Sequence, residues 1–422
     1  MDTKLSKLIA AETKRQDETL PLIASENFCS QATRAALGSV FVDKYAEGEP
    51  GKRYYAGNKV VDELERHVIK QLKDLFIPRE ADGVKIDKKD WYANVQPLSG
   101  SPANLAVYAA LLKPGDTILA MSLTSGGHLS HGHAVTLPGQ LYKIVNYEVD
   151  PKDNFLHYDQ VLKLAKKVKP QLIIVGASAY PRILDFEQFG DIAKKVKAYL
   201  MADISHLAGL VAVQCHPSPF PYVDVVTSTT HKTLRGPRSA FIIARVELGD
   251  KIKRGVFPGV QGGPHLNQIA ALSQALAEAK HPKFNAYIQR VIRNTQTLAQ
   301  YLGEGGLKII TGGTDNHLLL VDITATGLNG RQAQEKLEKV GIIVNANTIP
   351  FDTGTPMQPS GIRLGTAAIT TIGAHEKDIK VLAELILDVL LKRRPAKTVA
   401  LEVKALRSKL KLVEDLEFAT KD

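Results

Sequence analysis

Tyr199-Leu200-Met201-Ala202-Asp203-Ile204-Ser205-His206 and Val223-Asp224-Val225-Val226-Thr227-Ser228-Thr229-Thr230-His231-Lys232 decide how this chain folds. Each is a short apolar run that ends in polar, chemically active residues. Runs of this length suit strands buried on both faces of a parallel sheet. Similar runs at 117–121, 142–147, 172–176 and 240–244 alternate with helical patterns such as 102–112 and 186–197. That alternation predicts an α/β domain around a mostly parallel mixed sheet flanked by helices. In open sheets of this kind ligands bind beyond the carboxyl ends of the strands, so the polar residues after each run are the first candidates.

Outward from this centre, apolar residues recur every three to four positions from Lys59 to Phe76, which predicts a helix. Residues 3–18 read as a short amphipathic helix within an N-terminal arm, 1–28. The large domain is expected to span 29–280. Beyond it a helical pattern from Phe284 to Leu302 leads to strands at 307–310, 317–323 and 341–344 and helices near 330–340 and 375–391, a smaller C-terminal α/β domain, 281–422. The polar segment 78–90 reads as an exposed loop or small hairpin.

The 422 residues, 44% hydrophobic and 23% charged, exclude a disordered or low-complexity chain. No apolar run reaches the roughly 18 residues of a membrane helix, and Met1-Asp2-Thr3-Lys4 does not open a signal peptide. Cys29 and Cys215 are too few for a disulfide framework or a thiolate zinc site, so a reducing, cytoplasmic setting is expected. A net charge of +10 raises the question of nucleic acid. The densest cations, from Lys392 through Arg393, Arg394, Lys397, Lys404, Arg407 and Lys409 to Lys411, lie on a helix without interleaved stacking aromatics. They read as a solvated face rather than a nucleic-acid footprint.

An acid and a lysine at two nearby strand ends suit pyridoxal phosphate, which needs an amine for a Schiff base and a carboxylate against its pyridine nitrogen. Lys232 alone would read as a surface cation. Leu98-Ser99-Gly100-Ser101-Pro102-Ala103-Asn104 adds a helix start able to cradle a phosphate, with Ser101 as expected N-cap and Pro102 as first helical residue.

Several blocks now converge on a family. Leu22 to Asn27, Lys44 to Gly48, Pro50 to Tyr55, Gly126-Gly127-His128-Leu129, Thr230 to Arg238, Phe257-Pro258-Gly259 through Gln261-Gly262-Gly263-Pro264, and Ser360-Gly361-Ile362-Arg363 resemble serine hydroxymethyltransferase over about residues 18–390. The resemblance implies a pyridoxal-phosphate-dependent transferase of fold type I. It also implies transfer of the hydroxymethyl group of L-serine to tetrahydrofolate, giving glycine and methylenetetrahydrofolate.

By the same resemblance Lys232 attaches the cofactor, Asp203 pairs with its ring nitrogen, His206 lies near its phenolic oxygen and His128 stacks on its ring. Ser99, Gly100, Ser101 and His231 hold the phosphate, Ser178 and Thr229 line the ring, and Arg238 belongs to the same set. Tyr45 and Gly263 resemble residues that reach the phosphate of a neighbouring subunit, which implies a homodimer with shared sites. Arg363 would clamp the amino-acid carboxylate, helped by Ser25 and Tyr55. Glu47 would stand between the substrate hydroxyl and the folate. Tyr54, Leu123, Gly127, His128, Leu129, Asn347, Thr355, Pro356 and Met357 resemble folate contacts. No metal is expected, although His128, His131 and His133 are spaced closely.

The chain departs from the family pattern at Glu49, Leu98, Pro102, Ser239, Ala240, Ala367 and Ile372, and its 78–90 segment is longer than in typical bacterial members. These departures bear on folate affinity and subunit contacts. Two rival readings are a folate-independent threonine or allo-threonine aldolase of the same fold and an RNA-binding regulator that uses the basic C-terminal segment.

Overall fold

The computed structural model describes residues 2–81 and 83–411. Two compact units emerge. The first comprises Cys29–Ser178 and Ile183–Ile288. The second comprises the described residues up to Phe28, Ala179–Arg182 and residues 289–411. The division thus falls inside the continuous helix Pro282–Glu304 rather than at 280/281. The N-terminal stretch belongs to the second unit because Leu20 and Pro21 pair in parallel with Ile342 and Ile343.

The first unit is built on a seven-stranded sheet. Its strands are β1 (Trp91–Asn94), β2 (Thr117–Met121), β3 (Lys143–Tyr147), β4 (Leu172–Val175), β5 (Tyr199–Asp203), β6 (Val225–Thr229) and β7 (Ala240–Arg245), in the spatial order β1-β7-β6-β5-β4-β2-β3. β7 runs antiparallel to both its neighbours, and the other pairings are parallel. The apolar runs form strands because both sheet faces are covered, and Ile118, Leu172, Ile174, Met201 and Val225 are buried against Ala103, Ala106 and Val107 of the helix Gly100–Leu111. That helix begins two residues earlier than the sequence predicts, with Ser99 at the N-cap, so Pro102 sits within its first turn rather than opening it. Lys113-Pro114 follows its end, where proline disfavours helical continuation. In the segment 78–90, Glu80–Ala81 pairs with Val84–Lys85 as a small hairpin.

The second unit has a four-stranded antiparallel sheet of β8 (Lys308–Ile309), β9 (Leu318–Asp322), β10 (Asn345–Asn347) and β11 (Gly361–Gly365), ordered β8-β9-β11-β10. Arg363 lies in the middle of β11. Side chains alternate along a strand, so Ile362 and Leu364 enter the apolar core while Arg363 faces the other way. The helix Glu376–Leu390 contributes Ile379, Leu382 and Ile386 to that core, and the helix Ala396–Lys409 contributes Val399, Val403 and Leu406.

Candidate active site

Asp203 ends β5, and Thr227 of β6 is its register partner. The Asp203 carboxylate is buried but well supplied with donors. Oδ2 accepts from Asn104 Nδ2 at 2.9 Å and lies 3.0 Å from His131 Nε2, while Oδ1 accepts the Ser205 N–H at 3.0 Å. Burial opposes ionisation, yet the His131 hydrogen bond and the charges of His131 and Lys232 outweigh it and hold the carboxyl far below the usual carboxylate range.

Beyond β6 the chain is pinned from several sides. Thr229 N–H donates to Ser205 Oγ at 3.0 Å, Thr230 Oγ1 donates to the Pro237 carbonyl at 2.6 Å, and Thr233 Oγ1 donates to the His206 carbonyl at 3.0 Å. Lys232 is buried in this loop. His231 is partly buried, and its Nδ1 has no hydrogen-bond partner in the protein. Burial, with the positive charges of Arg238 and Lys232 added, pushes the His231 pKa down to about 3, so its ring is neutral near pH 7.

Gly100 brings the phosphate cradle to the same place. A Cβ there would stand 2.6 Å from Thr229 Cγ2 and 3.8 Å from Ser205 Oγ, so only glycine allows the helix start this close to the strand ends. On the other side, His128 Nδ1 accepts the Ser130 N–H at 3.1 Å, and its ring centroid is 5.7 Å from that of His131. Ser178 N–H donates to the Gly126 carbonyl at 2.6 Å, which fixes Ser178 beside the Gly126-Gly127-His128 turn. Gly127 is closely confined, since a Cβ would meet the Met121 carbonyl oxygen at 2.3 Å. Next to His128 and His131, a cavity of about 440 Å³ is lined also by Leu123, His133 and Asn146.

A second cluster in this unit gathers Tyr45, Glu47, Tyr55 and Gly263. Tyr45 Oη donates to Glu47 Oε1 at 3.0 Å, the rings of Tyr45 and Tyr55 meet edge to face at 5.0 Å, and Gly263 lies against the Tyr45 ring. Tyr54 packs on Phe257, with 5.6 Å between ring centroids. Tyr45, Tyr54 and Tyr55 are all exposed. The loop that bears them is anchored by Arg53, which bonds Asp62 at 2.8 Å, Glu65 at 2.5 Å and the Gly48 carbonyl. Gln96 ties the same Glu65 to the segment before Ser99 at 2.7 Å.

In the second unit Arg363 Nε donates to Asn345 Oδ1 at 3.1 Å. Burial pushes its pKa down to about 10, which leaves the guanidinium charged near neutrality. Ser25 follows Ala24, whose Cα would be 2.4 Å from a Cβ on Gly365, so the Ser25 segment runs tightly beside β11. Asn347 ends β10. The loop with Thr355, Pro356 and Met357 is organised by Asp352, which accepts from Gly354 N, Ser360 N and Ser360 Oγ at 2.7, 2.9 and 2.6 Å. Met357 is exposed.

Sequence reasoning missed His131 and Asn104 as partners of Asp203, and Arg53 and Asp352 as organisers of the two loops. A polar asparagine inside an otherwise apolar helix was the available signal for Asn104. Of the three clustered histidines, His131 turns to Asp203, and among the described residues no group of three His, Cys, Asp or Glu side chains could hold a metal ion. Four of the basic C-terminal residues are engaged in ion pairs. Arg394 meets Asp388 and Glu402, Arg393 meets Glu384, Lys404 meets Glu18 and Arg407 meets Asp17. Among the described residues no helix is long and apolar enough to cross a membrane.

These residues fit pyridoxal phosphate. A buried acid is held ionised, a buried lysine follows the next strand, a helix start lies against Thr229 and Ser205, and a buried imidazole nitrogen lacks a protein partner. Fold and site together define the class as a pyridoxal-phosphate-dependent transferase of fold type I. A family model for serine hydroxymethyltransferase matches residues 1–386. The chain is 49% identical to a serine hydroxymethyltransferase of Coprothermobacter proteolyticus over 97% of its own length and 95% of that protein. It is 47% identical to one of Desulforapulum autotrophicum over 98% and 97%. The chain belongs to the serine hydroxymethyltransferase family, whose reaction moves the hydroxymethyl group of L-serine reversibly to tetrahydrofolate with pyridoxal phosphate as cofactor. Neither the aldolase nor the RNA-binding reading is favoured by these matches.

Proposed function

We propose that residues 29–280 hold pyridoxal phosphate beyond the ends of β5 and β6 and that the family reaction is carried out there. The observation that carries the assignment is the buried Asp203 carboxylate, kept ionised by His131 and the charge of a buried Lys232 and hydrogen-bonded to Asn104. Bound there, the cofactor supplies an electron sink for the α-carbon of the amino acid when its bond to the hydroxymethyl carbon breaks.

The chain's own groups do the rest. Asp203 keeps a negative charge where the ring nitrogen needs one, Lys232 provides the attaching amine, and the N–H groups of Ser99, Gly100 and Ser101 receive the phosphate. His231, neutral at Nδ1, adds a polar partner, with Arg238 supplying positive charge nearby. Ser178, His206, Thr229 and His128 line and cover the ring. Arg363 offers two parallel N–H donors to the substrate carboxylate, a geometry suited to a planar fork, assisted by Ser25 and Tyr55. Glu47, held by Tyr45 Oη, takes or returns the proton of the substrate hydroxyl at its carboxyl oxygen. Leu123, Gly127, Leu129, Tyr54, Asn347 and the Thr355–Met357 loop receive the folate.

Exposure of Tyr45, Tyr54 and Tyr55 on one loop supports a second copy of the chain as their cover, so the protein works as a homodimer with shared sites. A cytoplasmic setting suits its two cysteines and its substrates. The test is glycine formation from serine with and without tetrahydrofolate, in wild type and Glu47→Gln. The variant should lose most folate-dependent turnover while keeping folate-independent cleavage of allo-threonine. Equal losses in both reactions would remove Glu47 from its role, and no folate dependence in the wild type would overturn the reading.

A further inference from the structure

Asn104 stands one turn into the helix Gly100–Leu111 and is buried, and its amide is used on every side. Nδ2 lies 2.9 Å from Ser130 Oγ and 2.9 Å from Asp203 Oδ2, and Oδ1 lies 2.7 Å from Thr227 Oγ1. Thr227 is the partner of Asp203 across β5 and β6, so a helix, a loop, the end of β5 and the middle of β6 meet on this one side chain. Ser130 Oγ in turn lies 2.7 Å from His128 Nδ1, which also accepts the Ser130 N–H.

Chemistry fixes the direction of each hydrogen. An ionised carboxylate only accepts, so the edge of Asn104 that faces Asp203 is its NH₂ edge. The amide oxygen then faces Thr227, whose hydroxyl donates to it. The second N–H goes to Ser130 Oγ, and the Ser130 hydroxyl hydrogen is left to point at His128 Nδ1. That nitrogen, an acceptor from two directions, carries no proton, so the proton of the neutral ring sits on Nε2. A protonated Asp203 would reverse the demand on the amide and break this order.

We infer that Asn104 is a positioning residue that recognises the ionised form of Asp203 and, through Ser130, fixes the tautomer of His128. A single amide thereby couples the acid proposed to face the ring nitrogen to the imidazole proposed to stack on the ring. The inference rests on that reading of Asp203 and His128. Asn104 touches no reacting atom and acts through its two neighbours.

The test uses Asn104→Leu, close in volume but without hydrogen bonds. Cofactor-free protein is titrated with pyridoxal phosphate and with the carbocyclic analogue that has C–H in place of the ring nitrogen. Asn104→Leu should weaken binding of pyridoxal phosphate roughly ten- to a hundredfold more than binding of the analogue, the size expected for a hydrogen bond to a charged group. A purely structural role weakens both equally, and that result overturns the inference. Asp203→Asn is measured in parallel. Unequal losses there with equal losses in Asn104→Leu sink the role of Asn104 alone, whereas equal losses in both sink the reading of Asp203 and this inference with it. Independently, in protein labelled with ¹⁵N in its histidine rings, the His128 signals should show Nδ1 bare and Nε2 protonated in the wild type and a mixture of tautomers in Asn104→Leu. An unchanged tautomer overturns the coupling. Should Asn104→Leu fail to fold, Thr227→Val, which frees the amide to turn over, carries the same two measurements with the same outcomes.

Discussion

His131 Nε2 and Asp203 Oδ2 stand 3.0 Å apart, and both side chains are buried. Buried carboxylates ordinarily prefer their protonated form, so this contact decides the charge at the heart of the site. His131→Phe keeps a ring in place and removes the donor. It should cost about 1.5–3 kcal/mol at pH 7, the worth of a hydrogen bond to a charged group, as read by urea denaturation. The folded Asp203 pKa lies below its unfolded value, so its stabilisation is complete above about pH 4 and fades as pH falls further. The difference between wild type and variant should therefore shrink below that pH, and a difference that grew there would contradict the assignment.

His231 has the opposite chemistry and the same sign. Its folded pKa, about 3, lies below the ordinary histidine value of 6.5, so below pH 6.5 the unfolded chain binds a proton that the folded chain refuses. Stability owed to this group is constant above about pH 7 and declines steadily from 6.5 towards 3. Between pH 8 and pH 5 the cofactor-free wild type should lose about 1–2 kcal/mol more than His231→Gln. Parallel pH profiles for the two proteins would show that the ring is protonated in the fold.

Gly100 admits no side chain without movement, because a Cβ would lie 2.6 Å from Thr229 Cγ2. Gly100→Ala should cost about 1–3 kcal/mol through overpacking and push the helix start off the strand ends. Its effect should fall more heavily on affinity for pyridoxal phosphate than on affinity for pyridoxal, since the cradle is what moves. Equal weakening of the two ligands would argue against a phosphate at this helix.

Arg53 is nearly buried between Asp62 and Glu65. Burial already raises the Glu65 pKa, and Arg53 and Gln96 work against that rise. Arg53→Met strands the acid and should cost about 3–5 kcal/mol by thermal or urea denaturation. It should also loosen the loop that carries Glu47 and Tyr55, so folate-dependent turnover should fall further than cofactor affinity. Full turnover in a destabilised variant would separate the ion cluster from the loop's function.

The interior strands β2, β4, β5, β6 and β7 were legible because each has an apolar run, a pattern that covering both faces of a sheet imposes, and the edge strand β3 from Ile144, Val145 and Tyr147. β1 was not, because Trp91-Tyr92-Ala93-Asn94 is short and mixes polar with apolar residues. Ser101 looked like a cap on composition alone, but the close approach of Gly100 to Thr229 sets the helix start earlier. Asp203 and Lys232 could be read from strand ends, whereas His131 and Asn104 lie far from Asp203 in sequence and meet it only through folding. The pairing of Arg53 with Glu65 was hidden for a related reason, since one lies on a short hairpin and the other on the following helix.

The helix Ala396–Lys409 lies past residue 386, where the match to the family model ends, yet Val399, Val403 and Leu406 are part of the second unit's apolar core and Arg407 grips the Gln16 carbonyl. A boundary drawn from that model alone therefore cuts through material that the fold treats as interior. Expression of a version trimmed at that boundary would uncover a greasy furrow and release the first helix from one of its moorings, inviting aggregation rather than a minimal enzyme. A purification tag or fusion partner is better joined beyond this helix than in place of it.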